Sequence, residues 1–156
     1  MSYFRESRCV ELSLIDYIRT QINISWSDVT VVKTFKQATK ATLPVICVRL
    51  LDTTSSRREI GANTLNNTYG IIIDVLATSD GLRLDLTDFL VNILKDGCVY
   101  YEFSQSSSNP EELDKTADGR IRVASWLQNT RVDFGEGDVG ERDRFRQLIS
   151  IIVAKS

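Results

Sequence analysis

The stretch from Asn67 to Gly97 constrains this chain most strongly, because three patterns follow one another with no slack between them. Residues 67 to 78, NTYGIIIDVLAT, are β-branched and apolar and read as a strand. Ser79-Asp80-Gly81 then supplies a turn, with Ser79 or Asp80 placed to accept from the free amides of a helix start. Leu82, Leu86, Phe89, Leu90, Ile93 and Leu94 recur at helical spacing, with Asp85, Asp88, Asn92 and Lys95 largely outside the stripe. Gly97 stands where a left-handed stop residue belongs. A strand feeding a helix through a tight turn can also cradle a phosphate, but that needs several glycines to let backbone amides converge. Only Gly81 is present, beside the repelling charge of Asp80, so the turn reads as a cap.

The remaining elements fix the class. Residues 5 to 23 place Val10, Leu14, Ile18 and Ile22 at four-residue spacing, which predicts an amphipathic helix lying on a sheet. Residues 29 to 36 alternate as a strand. The run from 45 to 52, VICVRLLD, is apolar on both parities and predicts a strand covered on both faces. Residues 53 to 66 are polar and aperiodic, which predicts a loop, or an arm that orders against a neighbour. Strands are expected at 98 to 104, 120 to 134 and 144 to 154, the last two as a hairpin across a Gly-rich acidic connection. The Ser run and Pro110 between 105 and 119 predict an exposed loop. Two helices among six strands are too few for alternating βαβ units. The expectation is one α+β domain over residues 1 to 156, a mainly antiparallel sheet with two helices packed on one face.

Composition narrows the chemistry. The chain has no histidine, which removes the commonest general base and zinc ligand and argues against ordinary hydrolase chemistry. Cys9, Cys47 and Cys98 are far apart and odd in number, which predicts reduced core residues in a reducing cytosol. A formal net charge of −2 does not indicate a nucleic-acid binder. Residues 2 to 6 lack an apolar signal core, and no run nears the ~18 apolar residues of a membrane span.

Few residues suggest a reaction. Asp74 stands in an apolar strand, and a buried carboxylate is costly unless paired, so the choices are an arginine partner or a wet or interfacial face. Asp133, Glu136, Asp138 and Glu141 offer oxygen ligands without the EF-hand spacing. Asp133-Phe134-Gly135 spells a kinase motif but lacks its required companions. The mixed-sign clusters around Arg57, Arg58, Glu59 and around Arg142 are solvated surface or charge pairs between subunits. Arg120, Arg122 and Arg131 could decorate one wall of the last hairpin, and Tyr100 and Tyr101, pointing to opposite sheet faces if they lie in a strand, make one of the two a candidate interface residue.

In element order and style the chain resembles the tail-terminator and tail-completion proteins of long-tailed bacteriophages. The resemblance runs through VELSLIDYIRTQI, LPVICVRLLD, RREIGANTLNNTYGIIIDVLATS and DGLRLDLTDFLVNILKDG to the C-terminal hairpin. It implies a virion neck protein, assembled in the host cytoplasm, that forms rings, usually hexameric. Such rings cap the tail tube, stop its polymerisation and dock the head connector, with DNA passing through the lumen. It implies no catalytic residue and no cofactor. The interface residues expected on this reading are Arg57, Arg58, Glu59, Asp133, Glu136 and Arg142. The alternatives are another neck or tail-tube subunit, a small carboxylate- or metal-dependent enzyme around Asp74, Asp133 or Glu136, or a host-cell binding module.

Overall fold

A computed structural model describes residues 4–57, 60–61, 65–106, 108, 112–132 and 145–156. In chain order the elements are α1 (Glu6–Ser25), β1 (Thr30–Val32), α2 (Phe35–Lys40), β2 (Val45–Arg57), β3 (Leu65–Leu76), α3 (Asp80–Leu94), β4 (Cys98–Gln105), β5 (Leu113–Val132) and β6 (Arg146–Lys155). The strands form one sheet in the order β1-β2-β3-β6-β5-β4. Among the described residues, only β1 and β2 pair in parallel; the other four pairings are antiparallel. The α+β class with a mainly antiparallel sheet is therefore as expected.

The sheet's two faces are filled differently. Ile46 lies opposite Val75, and Val48 opposite Ile73, so these four side chains share one face. They join Ile71, Ile149, Ile151 and Val153 in a core that also takes Val10, Leu14, Ile18 and Ile22 of α1 and Leu86, Leu90 and Leu94 of α3. The stripes at helical spacing thus meet the strands as their periodicity requires. Trp26, just past α1, stacks edge-on against Phe89 of α3 at 5.1 Å. Val45, Cys47 and Leu76 point to the other face and pack under Ala38 of α2. That second cluster covers the other face only from Val45 to Val48; the double cover expected over 45 to 52 ends there, because Arg49 and Leu50 are half-buried and Leu51 and Asp52 are exposed.

Three local expectations need correction. The strand expected over residues 29 to 36 holds only from Thr30 to Val32, and a third helix follows it on the second face. The cause is a reciprocal cap: Gln37 N–H donates to Thr34 Oγ1 at 3.1 Å, and Thr34 N–H donates to Gln37 Oε1 at 3.3 Å. The polar stretch 53 to 66 is strand as far as Arg57 and again from Leu65. The expected loop before residue 120 is strand from Leu113 onward. Strands with both faces in water carry no apolar alternation, so pattern reading misses them.

The strand-turn-helix stretch is built as expected. Ser79 Oγ accepts from Leu82 N–H at 3.2 Å. Gly97 has φ +75°, and a Cβ there would lie 2.2 Å from the Ile121 carbonyl oxygen, so both conformation and space demand glycine.

The sheet ends at β4, and α1 closes that edge. Tyr101 N–H donates to Ser13 Oγ at 3.0 Å, and Ser13 Oγ donates back to the Tyr101 carbonyl at 3.3 Å. Phe103 N–H donates to Cys9 Sγ at 3.5 Å, and the Phe103 carbonyl accepts from Phe4 N–H at 2.8 Å. Ser13 is 1% exposed, so no water replaces its hydroxyl. Ser13→Ala leaves a buried N–H and C=O unpaired and is expected to cost about 2 kcal/mol. Urea unfolding measures this, and a midpoint equal to wild type would show that the edge is closed by something else.

Candidate assembly surface

Past the helix-covered core, β2 and β3 continue together, flanked by β6 as far as Thr68 opposite Ala154 and as a bare two-stranded ribbon from Ser55 opposite Asn67 onward. The register runs from Asp52 opposite Gly70 to Arg57 opposite Leu65, after a shift between Leu50 and Asp52. Every residue from Leu51 to Arg57 is exposed. Asp52 lies over Gly70, where a Cβ would sit 2.0 Å from its Oδ1, so the glycine admits that carboxylate. Leu51 and Leu65 are more than half exposed and Ile60 fully so, which puts apolar surface on an arm with little core of its own.

Two strand edges are open along this part of the sheet. β1 accompanies β2 only over Val45 to Cys47. Leu50 N–H is then taken by Glu11 Oε2 at 2.9 Å, and beyond it no described strand lies on that side of β2. At the other margin, β4 accompanies β5 only up to Ile121, whereas β6 pairs with β5 on to Val132. From Arg122 to Thr130 the β4 side of β5 has no strand among the described residues. Trp126 and Leu127 are exposed there, at 42% and 60%.

Of the interface residues expected from sequence, Arg57 ends β2, exposed, opposite Leu65. Arg58, Glu59, Asp133, Glu136 and Arg142 lie outside the described residues, as do Asp138 and Glu141. Tyr100 is in the core and Tyr101 is half-buried, with the Lys115 ammonium 4.5 Å from its ring centre. Arg120 and Arg131 engage opposite ends of α3: Arg120 donates to the Asp96 carbonyl at 3.0 Å, and Arg131 pairs with Asp80 at 3.9 Å. Sequence reading missed the open edges. Their signal was the β-branched Thr53 and Thr54 with neither proline nor lysine between Leu51 and Arg57.

Asp74 takes the arginine alternative, twice over. Its carboxylate is fully buried; Oδ2 accepts from Arg49 Nη2 at 2.9 Å, and Oδ1 from Arg146 Nη2 at 2.7 Å and Nε at 3.1 Å. The Phe35 ring of α2 lies 4.8 Å from the Arg146 guanidinium and 5.7 Å from that of Arg49. The cluster joins β2, β3 and β6 on the face away from α1 and α3, and occupies both oxygens that a reaction would use.

Two further clefts, of about 450 and 410 Å³, flank α1 on either side of the Lys115–Asp16 ion pair (2.9 Å). That pair raises the Lys115 pKa. Among the described residues no group of three or more His, Cys, Asp or Glu is placed to hold a metal. No described helix is long and apolar enough to cross a membrane. No protein-family model matches the chain, and no curated protein matches its sequence.

Removing the Asp74 carboxylate leaves two guanidinium groups facing each other, so Asp74→Ala is expected to destabilise by about 3 kcal/mol. A urea midpoint within error of wild type would show that solvent screens the arginines instead. Alkali is the second test. Burial pushes the Cys47 thiol from 9.0 up to about 11, against the nearby Arg49, and pushes Cys98 up to about 12. Burial also raises the Tyr69 and Tyr100 phenols. The unfolded chain therefore releases these protons first, and stability falls as pH rises from about 9 toward 11. With no histidine, urea midpoints should be level from pH 6 to 8 and drop by pH 10. A midpoint still level at pH 10 contradicts the burial of these groups.

Proposed function

We propose that this chain is a ring subunit of the neck of a long-tailed bacteriophage virion, a tail terminator. It caps the tail tube, stops tube growth and offers a docking surface to the head connector. The observation that carries this reading is the exposed β2–β3 ribbon, which runs past the helix-covered core with Leu51, Leu65 and Ile60 in water. An arm of that kind gains stability only when another chain covers it. The element order and the resemblance described above support this choice of family, and the same resemblance suggests six copies.

The work of such a subunit is docking, with no bond made or broken. A head-to-tail contact that closes into a ring leaves no growing end, which is how capping halts polymerisation. Asp74, weighed for catalysis from sequence, ties β2, β3 and β6 together in this reading. The purified chain is expected to form closed rings of one size in negative-stain images. Added to polymerising tail-tube protein, it should shorten the tubes and appear at one end. A chain that stays monomeric at high concentration and leaves tube length unchanged would overturn the proposal. Long tubes formed by the chain alone would reassign it to the tube itself.

A further inference from the structure

On its two outer sides, beyond β1 and β4, the described sheet has four stretches of margin at which a strand could be added, and two are already engaged. Ser13, Cys9 and Phe4 take up the outer edge of β4. Arg19 Nη2 donates to the Val31 carbonyl of β1 at 3.1 Å. The open margins are Leu51–Arg57 on β2 and Arg122–Thr130 on β5, and they lie on opposite sides of the sheet. We infer, within the ring reading above, that the β2 edge of one copy pairs antiparallel with the β5 edge of the next, so that neighbouring sheets continue into one another.

Three features of the topology favour a second copy of this chain as the occupant. The first is direction. Three successive antiparallel pairings separate β2 from β5, so the two strands run oppositely within a copy. A neighbour's β5 placed beside β2 extends the antiparallel alternation without a break.

The second is shape. β1 covers only the Val45–Cys47 end of β2, and β4 covers only the part of β5 up to Ile121. When the two open stretches are set side by side, β1 of one copy falls beyond the Val132 end of its neighbour's β5. The neighbour's β4 falls beyond the Arg57 end of β2. Each step fills the other's notch.

The third is stagger. Trp126, midway along the open part of β5, is level with Ile151, Ile71 and Leu50 across the sheet. The midpoint of the open part of β2 is Thr54, about four residues further on, or ~14 Å at a strand's rise. Four strands, β2, β3, β6 and β5, span ~19 Å at the usual spacing. Each copy would therefore step along the strands by an amount that tilts them by roughly 35°, at the edge of the range over which sheets close into barrels. An unstaggered pair of edges would give flat, open growth instead.

Disulfide trapping tests the pairing. Ser55→Cys is combined in turn with Ser125→Cys, Leu127→Cys or Asn129→Cys, all exposed positions, in the full chain. Within one copy β3 and β6 stand between β2 and β5, beyond the ~7 Å that a disulfide spans, so any such bond joins two copies. The three native cysteines are buried and serve in the parent chain as the background. One of the three pairs is expected to give a ladder on non-reducing electrophoresis, ending at the size of the ring, with no ladder from the single variants. Rings of fixed mass by light scattering with no ladder from any pair would overturn the edge pairing and leave the ring reading intact. A monomer by light scattering at every concentration would overturn both.

Discussion

The set of hydrogen bonds from α1 to the edge of β4 decides what the rest of the molecule can do. A sheet of six strands has two outer edges, and each unpaired stretch is a template for another chain. Ser13 and Cys9 put polar atoms on the flank of a helix whose apolar stripe is otherwise committed to the core. The same helix therefore supplies the core and seals the margin that lies beside it. What stays open is the part of each margin that α1 does not reach. Those parts are the far end of β2 and the stretch of β5 beyond β4.

The second face of the sheet is held by charge where the first is held by apolar volume. Asp74 draws Arg49 from β2 and Arg146 from β6 onto β3, which fixes the lateral order of three strands at one level. α2 is only six residues long and cannot hold itself as a helix. It is kept by its capping box, by Ala38 on the small second cluster and by Phe35 beside the two guanidiniums. The anchored end of the sheet and the bare ribbon are thus at opposite ends of β2 and β3. A rigid base with a projecting arm is what a subunit needs if its contacts are made at the arm.

Much of this was legible from residues, and the failures have physical causes. The stripes of α1 and α3, the Ser79 cap, the Gly97 stop and the doubly covered run from Val45 to Val48 were all readable, because each depends on a local period or a local cap. α2 was readable in principle from Thr34 and Gln37, but the β-branched residues ahead of it drew the strand assignment onward. Thr53 to Arg57 and Leu113 to Arg120 were hidden for another reason. Both faces of those strands are in water, so no alternation marks them. The partners of Asp74 were out of reach because they lie 25 residues before and 72 residues after it, and only the strand order brings them together. Of the charged residues expected at an interface only Arg57 lies among the described residues, at the end of β2; Thr53 and Thr54 hinted at added strand, but that its edge stays open depends on strand order, which no single segment encodes.

The polar character of the arm bears on how such a ring would assemble. Thr53, Thr54, Ser55 and Ser56 offer little apolar area, so a lone contact between two edges would rest mainly on backbone hydrogen bonds, each worth about 1 kcal/mol net. Such a contact is weak between two free copies and persists only when every copy is held on both sides. Closure provides that, because the last contact forms between ends already tethered at high effective concentration. Charge at Asp52 and Arg57, and the register shift beside Leu51, discourage the flat, indefinite edge pairing that an apolar strand would invite. In the proposed ring, the same sequence that hid these strands from pattern reading keeps the isolated subunit from aggregating and makes the closed assembly the stable one.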